Sequence, residues 1–270
     1  MGQKTLIAIV FALLVSVTMI ISCAGPSPVV TFPDSNLEAA IREAMDKPTG
    51  NITSADLAKL TVLDASEKGI ADLTGIEYCV NLTELNIFYN QISDISAVAP
   101  LTNLTSISLS VNQISDISAV APLTNLTWLG LEFNQISDIS AVAPLTNLAM
   151  LYLHNNQTSD ISPLAHLTKL ATLSLSHNQI SDIAPLATLI NLATLHLHNN
   201  QISDISPVAP LTNLGTLSLF YNQISDISPL LANSGLSSGD EVNLAYNPLT
   251  TDSLDTYIPQ LEKRGVRIER

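Results

Sequence analysis

The sequence has few basic residues, and they are grouped in its first and last parts. It contains 10 Lys and Arg against 24 Asp and Glu. Between Lys68 and Lys263 the only basic residue is Lys169, while the same stretch carries sixteen carboxylates. A surface of this sign repels phosphate backbones and anionic lipid headgroups. The charge therefore excludes nucleic acid from the partners that we expect.

Cysteines are also scarce, and no arrangement typical of an active site is present. The two cysteines, Cys23 and Cys79, are too few for a disulfide framework, and we expect Cys79 to be a small buried apolar residue. The chain has no glycine-rich phosphate loop, no nucleophile elbow and no credible pair of acids. We therefore expect no catalytic residues, no enzymatic activity and no cofactor.

The first residues have the features of a bacterial export signal. Lys4 supplies a short positive region, and the almost wholly apolar stretch 5–19 follows it. That stretch is shorter than the roughly 20 residues that a membrane-spanning helix needs. Residues 20–24, Ile-Ile-Ser-Cys-Ala, resemble the bacterial lipobox, in which the cysteine receives diacylglycerol and the chain is cut in front of it. An ordinary cleaved signal with an incidental cysteine is the alternative.

The lipobox resemblance implies a lipid-anchored protein outside the cytoplasm, at the cell membrane or cell surface of a bacterium. We predict that residues 1–22 are a lipoprotein signal peptide and that Cys23 is the lipidated residue. Residues 23–31 are rich in Pro, Gly and Ser, and we expect them to form a short tether without packed structure.

An internal repeat organises most of the remaining chain. Within each copy, aliphatic residues such as Leu129 and Leu131 alternate with polar ones, which places them on one face of a short strand. One 22-residue coil cannot bury its aliphatic residues alone, so the coils must stack around a continuous core. An asparagine marks the end of each strand, at Asn90, Asn112, Asn134, Asn156, Asn178, Asn200 and Asn222.

A repeat of this length and pattern predicts an α/β leucine-rich-repeat solenoid, with a parallel β-sheet on the concave face and a helical N-terminal cap. On the convex side, prolyl segments such as 162–164 and 184–186 favour 3₁₀ or irregular turns. Each repeated asparagine is expected to bond backbone groups of neighbouring coils. We predict the helical cap at 32–60, the repeats at 61–247 and a C-terminal cap at 248–270.

Apolar spacing predicts the elements of the two caps. At the start we expect a helix over 34–46 and a second short helix from about Thr53. At the end we expect a helix over 252–263, kinked or split at Pro259, and a last edge strand around Ile268.

A column of aspartates accompanies the asparagines at the same period. A ladder of Ca²⁺ ions is one possible use of the column. The other is that each carboxylate caps the following turn by accepting its backbone N–H groups, and we favour this second interpretation. The residues are Asp94, Asp116, Asp138, Asp160, Asp182, Asp204 and Asp226.

Several segments carry a family resemblance. The repeat unit Asn-Gln-Ile-Ser-Asp-Ile-Ser-Pro-Leu at 222–230, with the recurring Leu-Thr-Asn-Leu, resembles the repeat of the internalin family of bacterial surface proteins. The stretches Phe32-Pro33-Asp34 and 75–78, Gly-Ile-Glu-Tyr, are similar to that family's helical cap and its passage into the first full repeat. The resemblance implies the same fold and a bacterial surface location, and it names no partner.

The repeat copies agree on the convex side and differ mainly at the outward-facing positions of the strands. Residues 91–103, 113–125 and 135–147 are identical. The variable positions hold eight of the eleven aromatic residues that follow the signal, and four of the five histidines. Exposed aromatic side chains on a concave sheet have no folding role and mark interface cores. The alternative is that outward aromatics only favour strand structure.

We therefore predict that these columns bind a protein, peptide or glycan ligand, in an envelope-anchored recognition module. A structural or self-associating envelope spacer is the alternative function. The predicted ligand-binding residues are Phe88, Tyr89, Trp128, Glu132, Phe133, Tyr152, His154, His177, His196, His198, Phe220 and Tyr221.

Zinc binding is a minor alternative that rests on three histidines. His196 and His198 are two apart on one strand and point the same way, and His177 belongs to the neighbouring coil. No carboxylate or cysteine completes the set of ligands. We therefore predict no metal site.

Overall fold

The computed structural model describes residues 27–270, which wind into a solenoid of stacked coils. Each coil contributes one short strand to a single ten-stranded sheet, whose neighbouring strands pair in parallel and follow the order of the chain. This confirms the fold class predicted from the repeat. The strands are β1 Val62–Asp64, β2 Glu84–Asn86, β3 Ser106–Ser108, β4 Trp128–Gly130, β5 Met150–Tyr152, β6 Thr172–Ser174, β7 Thr194–His196, β8 Thr216–Ser218, β9 Glu241–Asn243 and β10 Arg267–Glu269.

The 22-residue period sets the register of the sheet. Glu84 pairs with Ser106, and Ser106 pairs with Trp128, so residues one repeat apart lie side by side on neighbouring strands. The middle residue of each strand from β1 to β9 is a buried aliphatic residue, as Leu129 is in β4. Because strand residues alternate between faces, the residues that flank each middle position face outward on the concave side. The inward residues form one continuous apolar core from Val30 to Val266.

Short 3₁₀ turns line the convex side, as the prolyl segments predicted. Each coil has only about a dozen residues outside its strand and corner, which favours short segments over long helices. The last regular coil is different, since it holds the α-helix α3, Ser228–Ala232. The 3₁₀ segments are Ile76–Tyr78, Ser96–Val98, Ser118–Val120, Ser140–Val142, Ser162–His166, Ala184–Thr188 and Ser206–Val208.

The repeated asparagines form a hydrogen-bonded ladder that joins successive coils. The Asn200 Nδ2 donates to the carbonyls of Leu175 and Leu197, both at 3.0 Å, and its Oδ1 accepts the N–H of Ile180 at 3.0 Å. One side chain thus satisfies backbone groups of its own coil and of the coil before it. The same bonds recur at Asn90, Asn112, Asn134, Asn156, Asn178, Asn222 and Asn247.

The aspartate column caps turns, which confirms the favoured interpretation. The Asp116 Oδ1 accepts the backbone N–H of Ser118 at 2.8 Å, and all seven aspartates make the equivalent bond two residues ahead. The bonds from the Ser118 and Ser162 backbones hold the pKa of Asp116 and of Asp160 below the ordinary value. The aspartate side chains thus cap the entry to each convex turn.

A helical cap covers the first coil, as predicted. Helix α1 spans Ser35–Ala44, and the Asp34 side chain accepts the N–H groups of Asn36 and Leu37 at its start. The second Asp34 oxygen accepts the N–H of Ala71 at 2.8 Å, which ties the cap to the first coil. Helix α2, Ser54–Leu57, begins in a capping box.

The end of the predicted tether is part of the cap. The Val30 N–H donates to the Ile52 carbonyl at 2.9 Å, and the Ser54 N–H donates to the Pro28 carbonyl at 3.0 Å. Val30 is also buried, so an apolar side chain and paired backbone hold this segment in place. The expectation of an unpacked tether is therefore wrong for residues 28–30. The predicted signal peptide and Cys23 lie outside the described residues and stay predictions.

The irregular coil near the end is accommodated by a buried asparagine and a close backbone contact. The Asn233 Nδ2 donates to the carbonyls of Val208 and Leu211, both at 3.0 Å, while its Oδ1 accepts the Gly235 N–H at 2.9 Å. A Cβ on Gly235 would lie only 1.9 Å from the Thr212 carbonyl oxygen. Glycine is therefore required where the three extra residues are absorbed.

The C-terminal cap contains the predicted helix. In place of the predicted kink or split, the hydrogen bonding changes from a π-helical to an α-helical pattern. A π-helical turn at Ser253–Tyr257 runs directly into α4, Ile258–Lys263. Pro259 is the second residue of α4 and directly follows the π-helical turn, so the change of hydrogen bonding occurs next to the residue that lacks an N–H. The predicted edge strand is β10, which pairs with β9. No helix within residues 27–270 has the length and apolar character to cross a membrane.

Replacement of a ladder asparagine should destabilise the solenoid. We expect Asn200→Ala to lower the free energy of unfolding by about 2–3 kcal/mol, because it leaves buried N–H and C=O groups without partners. The matched control is Asn191→Ala. Asn191 is exposed and makes one bond, to the Thr168 carbonyl at 2.8 Å, so its loss should cost less than about 1 kcal/mol. Urea unfolding of both variants measures the difference, and equal losses would contradict the role given to the ladder.

Candidate functional site

The predicted ligand-binding residues fall into three groups along the concave face. The N-terminal pair is Phe88 and Tyr89, whose ring centroids lie 6.0 Å apart. The other two groups hold the remaining residues. The central cluster is Trp128, Glu132, Phe133, Tyr152 and His154, and the C-terminal cluster is His177, His196, His198, Phe220 and Tyr221.

The central cluster is built on neighbouring strands and held by ring contacts. The centroids of Trp128 and Tyr152 lie 5.7 Å apart, and Phe133 meets His154 edge to face at 5.4 Å. Gly130 makes the indole position possible, since a Cβ there would lie 2.7 Å from the indole. A glycine inside a strand often marks such a close approach. That signal was available in the sequence, and our sequence reasoning did not use it.

The C-terminal cluster is a nearly continuous row of planar groups. His198 stacks on Phe220 with centroids 4.1 Å apart, and His177 meets His198 edge to face at 5.4 Å. The row continues beyond the predicted residues, because Tyr221 stacks on Tyr246 with centroids 4.1 Å apart. Stacked rings of this kind present a large and rigid apolar surface at low entropic cost.

Three histidines of these clusters, His154, His196 and His198, have pKa values below the ordinary value of the side chain. Partial burial, together with the neighbouring His177, His196 and His154, lowers the pKa of His198 to about 4. Burial also lowers the pKa of His154 and of His196. The Nδ1 of His154 lies 3.2 Å from the Ser174 Oγ, which orients the ring. Neutral imidazoles offer ligands hydrogen-bonding edges rather than positive charge.

The three histidines of the zinc hypothesis lie close together and are engaged with neighbouring rings. His196 and His198 have ring centroids 6.3 Å apart, and His198 stacks on Phe220. Within residues 27–270, no three His, Cys, Asp or Glu side chains are grouped so that they could hold a metal ion.

The outward positions are less uniformly exposed than the alternation predicts. Ser110, Ser174 and Ser176 are buried, because large neighbours on adjoining coils cover these small side chains. Trp128 and Tyr152, which the sequence placed in solvent, are partly buried against each other. Exposed apolar residues of this face include the strand residues Val62 and Met150, and a second set lies just beyond the strands.

The residues just beyond the strands share an unusual backbone conformation. One residue in each coil has φ between 52° and 58°, in the left-handed region that disfavours side chains other than Asn, Asp and Gly. Asparagine occupies only two of the nine successive positions. The column is Glu67, Tyr89, Val111, Phe133, Asn155, His177, Asn199, Tyr221 and Tyr246.

The aromatic members of this column are strained and also exposed. Tyr89, Phe133, Tyr221 and Tyr246 are 60%, 50%, 48% and 71% exposed. A bulky residue in the left-handed region costs about 1–2 kcal/mol, while each of these side chains leaves about half or more of its surface in solvent. Strained positions of this kind cluster at binding surfaces.

A cleft on the first coils was not foreseen from the sequence. This N-terminal trough is about 560 Å³ in volume and lies over β1 to β4. It brings two carboxylates close to two aromatic rings, although Asp64 and Glu84 were not among the predicted binding residues. Their contribution depends on the degenerate first coil pairing with the second in full register. The trough is lined by Val62, Leu63, Asp64, Glu84, Leu85, Asn86, Phe88, Ser106, Ser108 and Trp128.

Two polar atoms near the trough lack hydrogen-bond partners within the described part of the chain. They are the Ser110 Oγ and the Glu132 Oε2, both buried. The Ser110 Oγ lies beside Gly130, directly next to the Trp128 indole. Buried polar atoms are normally paired, so these two are exceptions to the rule.

Comparison with known proteins identifies the repeats. A family model described as "Leucine Rich repeats (2 copies)" matches six overlapping stretches that together run from residue 80 to 232, more than half of the chain. Among the curated proteins, Internalin J of Listeria monocytogenes is 42% identical over 60 residues. That match covers 22% of this chain and 7% of the relative, so it compares only a small part of the longer protein.

Two solved structures match over most of the described solenoid. An internalin of Listeria monocytogenes, inlF, superposes with a TM-score of 0.81 and 35% identity, covering 92% of this chain and 74% of that one. Internalin C2 of the same species gives a TM-score of 0.74 and 40% identity, covering 84% of this chain and 100% of that one. These similarities confirm the resemblance that the repeat motif indicated.

Relief of strain in the left-handed column should stabilise the protein. Val111 is the clearest case, because a β-branched side chain is least suited to positive φ, and Val111 has φ of 55°. We expect Val111→Asn to raise the free energy of unfolding by about 1 kcal/mol. Asn155→Val is the reverse exchange two coils further along the chain, and it should lower the free energy of unfolding by a similar amount. Thermal unfolding tests both, and a loss of stability in Val111→Asn would contradict the strain.

Proposed function

Since this chain belongs to the leucine-rich-repeat family, in its internalin-like form, we propose that it is a bacterial surface recognition module that binds a protein ligand. The ligand lies on the concave face, across the N-terminal pair, the central cluster and the C-terminal cluster. The observation that carries the proposal is the column of exposed aromatic side chains at strained left-handed positions. The fold is satisfied by Asn at these positions, so binding is the reason to keep Tyr and Phe there.

The size of the concave face supports a protein partner. Ten strands at a spacing of about 4.8 Å give a face roughly 40–45 Å long. A stable protein interface needs about 800 Å² from each partner. The narrow strip of three-residue strands reaches that area only when the ligand also touches the left-handed column along its edge, which is where the exposed rings lie.

The convex side supports the same assignment by contrast. Residues 91–103, 113–125 and 135–147 are identical, and their aspartates and asparagines are occupied by backbone bonds within the solenoid. These three coils therefore present the same convex surface, and a ligand could not distinguish one of them from the next. Distinct side chains, which specific recognition requires, are concentrated on the concave face.

Truncation of concave aromatics should abolish most of the binding. An array of extracellular protein domains is the probe, and any captured domain is titrated against the variants. We expect Phe133→Ala and Trp128→Ala each to weaken binding at least about tenfold, as typical for hot-spot residues.

The matched control is Ser118→Ala on the convex side, which should leave the affinity unchanged. Melting temperatures of all three variants establish that each remains folded. Loss of binding in Ser118→Ala, with the two concave variants silent, would move the function to the other side. If the protein binds only to other copies of itself, the result would favour the self-associating spacer.

The anchoring part of the proposal rests on Cys23. We propose that the lipobox-like residues 20–24 direct lipid to this cysteine and hold the solenoid at the cell envelope. Cys23→Ser should move the protein from the detergent phase to the aqueous phase and stop incorporation of labelled palmitate. The control is Cys79→Ala, since Cys79 is fully buried and should not affect partitioning. A Cys23→Ser protein that stays in the detergent phase would refute lipid anchoring.

A further inference from the structure

The N-terminal trough is large enough to admit a long side chain. Glu84, Ser106 and Trp128 are register partners on three successive strands, so the backbones of Glu84 and Trp128 lie about 9–10 Å apart with a small serine between them. Ser108 is the second small residue of the same strand and continues the floor. The indole therefore forms one wall and the carboxylate the other.

The trough is negatively charged, although the charge of the nearby Lys68 acts on Asp64. Asp64 and Glu84 are both outward residues of the trough, and no Lys or Arg lines it. The nearby Lys68 donates to Glu43 at 3.1 Å. Bonds from the Ser66 hydroxyl and N–H lower the pKa of Asp64, which keeps that carboxylate ionised. Glu84 is exposed, and no hydrogen bond of its side chain is found within residues 27–270.

Negative charge is also present on the far side of the indole. Glu132 is a carboxylate whose charge acts on the neighbouring His154. Its Oε2 and the Ser110 Oγ are buried without hydrogen-bond partners in the described chain, so they are covered and are not contact points for a ligand. Glu132 therefore adds to the attraction that this end of the concave face has for a positively charged group.

We infer that the N-terminal trough holds an arginine or lysine side chain of a protein partner. The aliphatic stem lies over Ser106 and Ser108 against the Trp128 indole, and the cationic head reaches Glu84 and Asp64. Indole faces attract guanidinium and ammonium groups, and charged hydrogen bonds to carboxylate are the strongest that a protein makes. The inference rests on the proposed function, because it assigns one contact of a ligand on the concave face.

The chain carries its own reporter for this contact. Trp128 is the only tryptophan, so its fluorescence reports directly on the trough. The probe is the peptide acetyl-Gly-Arg-Gly-Arg-Gly-amide, compared with the same peptide carrying citrulline, which has nearly the shape of arginine and no charge. We expect the arginine peptide to change the fluorescence saturably and the citrulline peptide to bind at least about tenfold more weakly.

A pair of charge-matched variants separates the trough from general attraction to an acidic protein. We expect Glu84→Gln to weaken binding of the arginine peptide at least about fivefold. The control is Asp255→Asn, which removes one charge from an exposed position in the C-terminal cap and should change the affinity less than about 1.5-fold. Equal weakening by the two variants, or equal binding of the citrulline peptide, would overturn the inference.

The proposed function can survive that outcome, and the two failures are distinguishable. If domains captured on the array bind through Trp128 and Phe133 but are insensitive to Glu84→Gln, the concave face binds protein without a basic anchor. If the arginine peptide binds as expected but no captured domain depends on the concave aromatics, the trough is a site and the wider recognition surface is wrong.

Discussion

Every coil of this protein must satisfy its own backbone within 22 residues, and the ladder asparagine is how it does so. A coil that turns this tightly cannot pair all of its N–H and C=O groups in helices or strands. The Asn side chain supplies the missing partners, with Nδ2 reaching carbonyls of two coils and Oδ1 accepting an N–H from the coil before. Because buried unpaired groups cost about 1–3 kcal/mol each, the same residue must return at every period.

This constraint determines where the chain is free to vary. The core requires the inward leucines, and the backbone requires the ladder asparagine. The residues that are free to differ between coils are the outward strand residues and the residue just before each ladder asparagine. That last residue must turn the chain at positive φ, as Tyr221 does at 53° and Phe133 at 55°. The corner of the coil requires positive φ at this residue, and it requires no particular side chain. The backbone conformation disfavours aromatic residues at this position, and binding of a ligand explains why they are present.

The fold could be predicted from the sequence because it repeats, while the site depends on contacts that do not. Period and alternation were enough for the parallel sheet, the asparagine bonds and the aspartate caps. They were not enough to show that Trp128 lies over Gly130, because that depends on the shape of one side chain. Likewise, Asp64 reaches the trough only because the degenerate first coil keeps register with the second, pairing Asp64 with Asn86. The packing of residues 28–30 on the cap was missed because Pro and Gly nearby favour an open chain.

The acidic residues show how position decides the use of one chemical group. On the convex side, carboxylates such as Asp116 accept the backbone N–H two residues ahead and thereby cap a turn. On the concave side of the first coils, Glu84 has no such partner in the described chain, and Glu132 keeps a buried oxygen unpaired. Much of the net charge of −14 therefore lies on the convex side, away from the concave face. What remains available faces the same surface as the strained aromatic rings, so charge and apolar surface act on one ligand together.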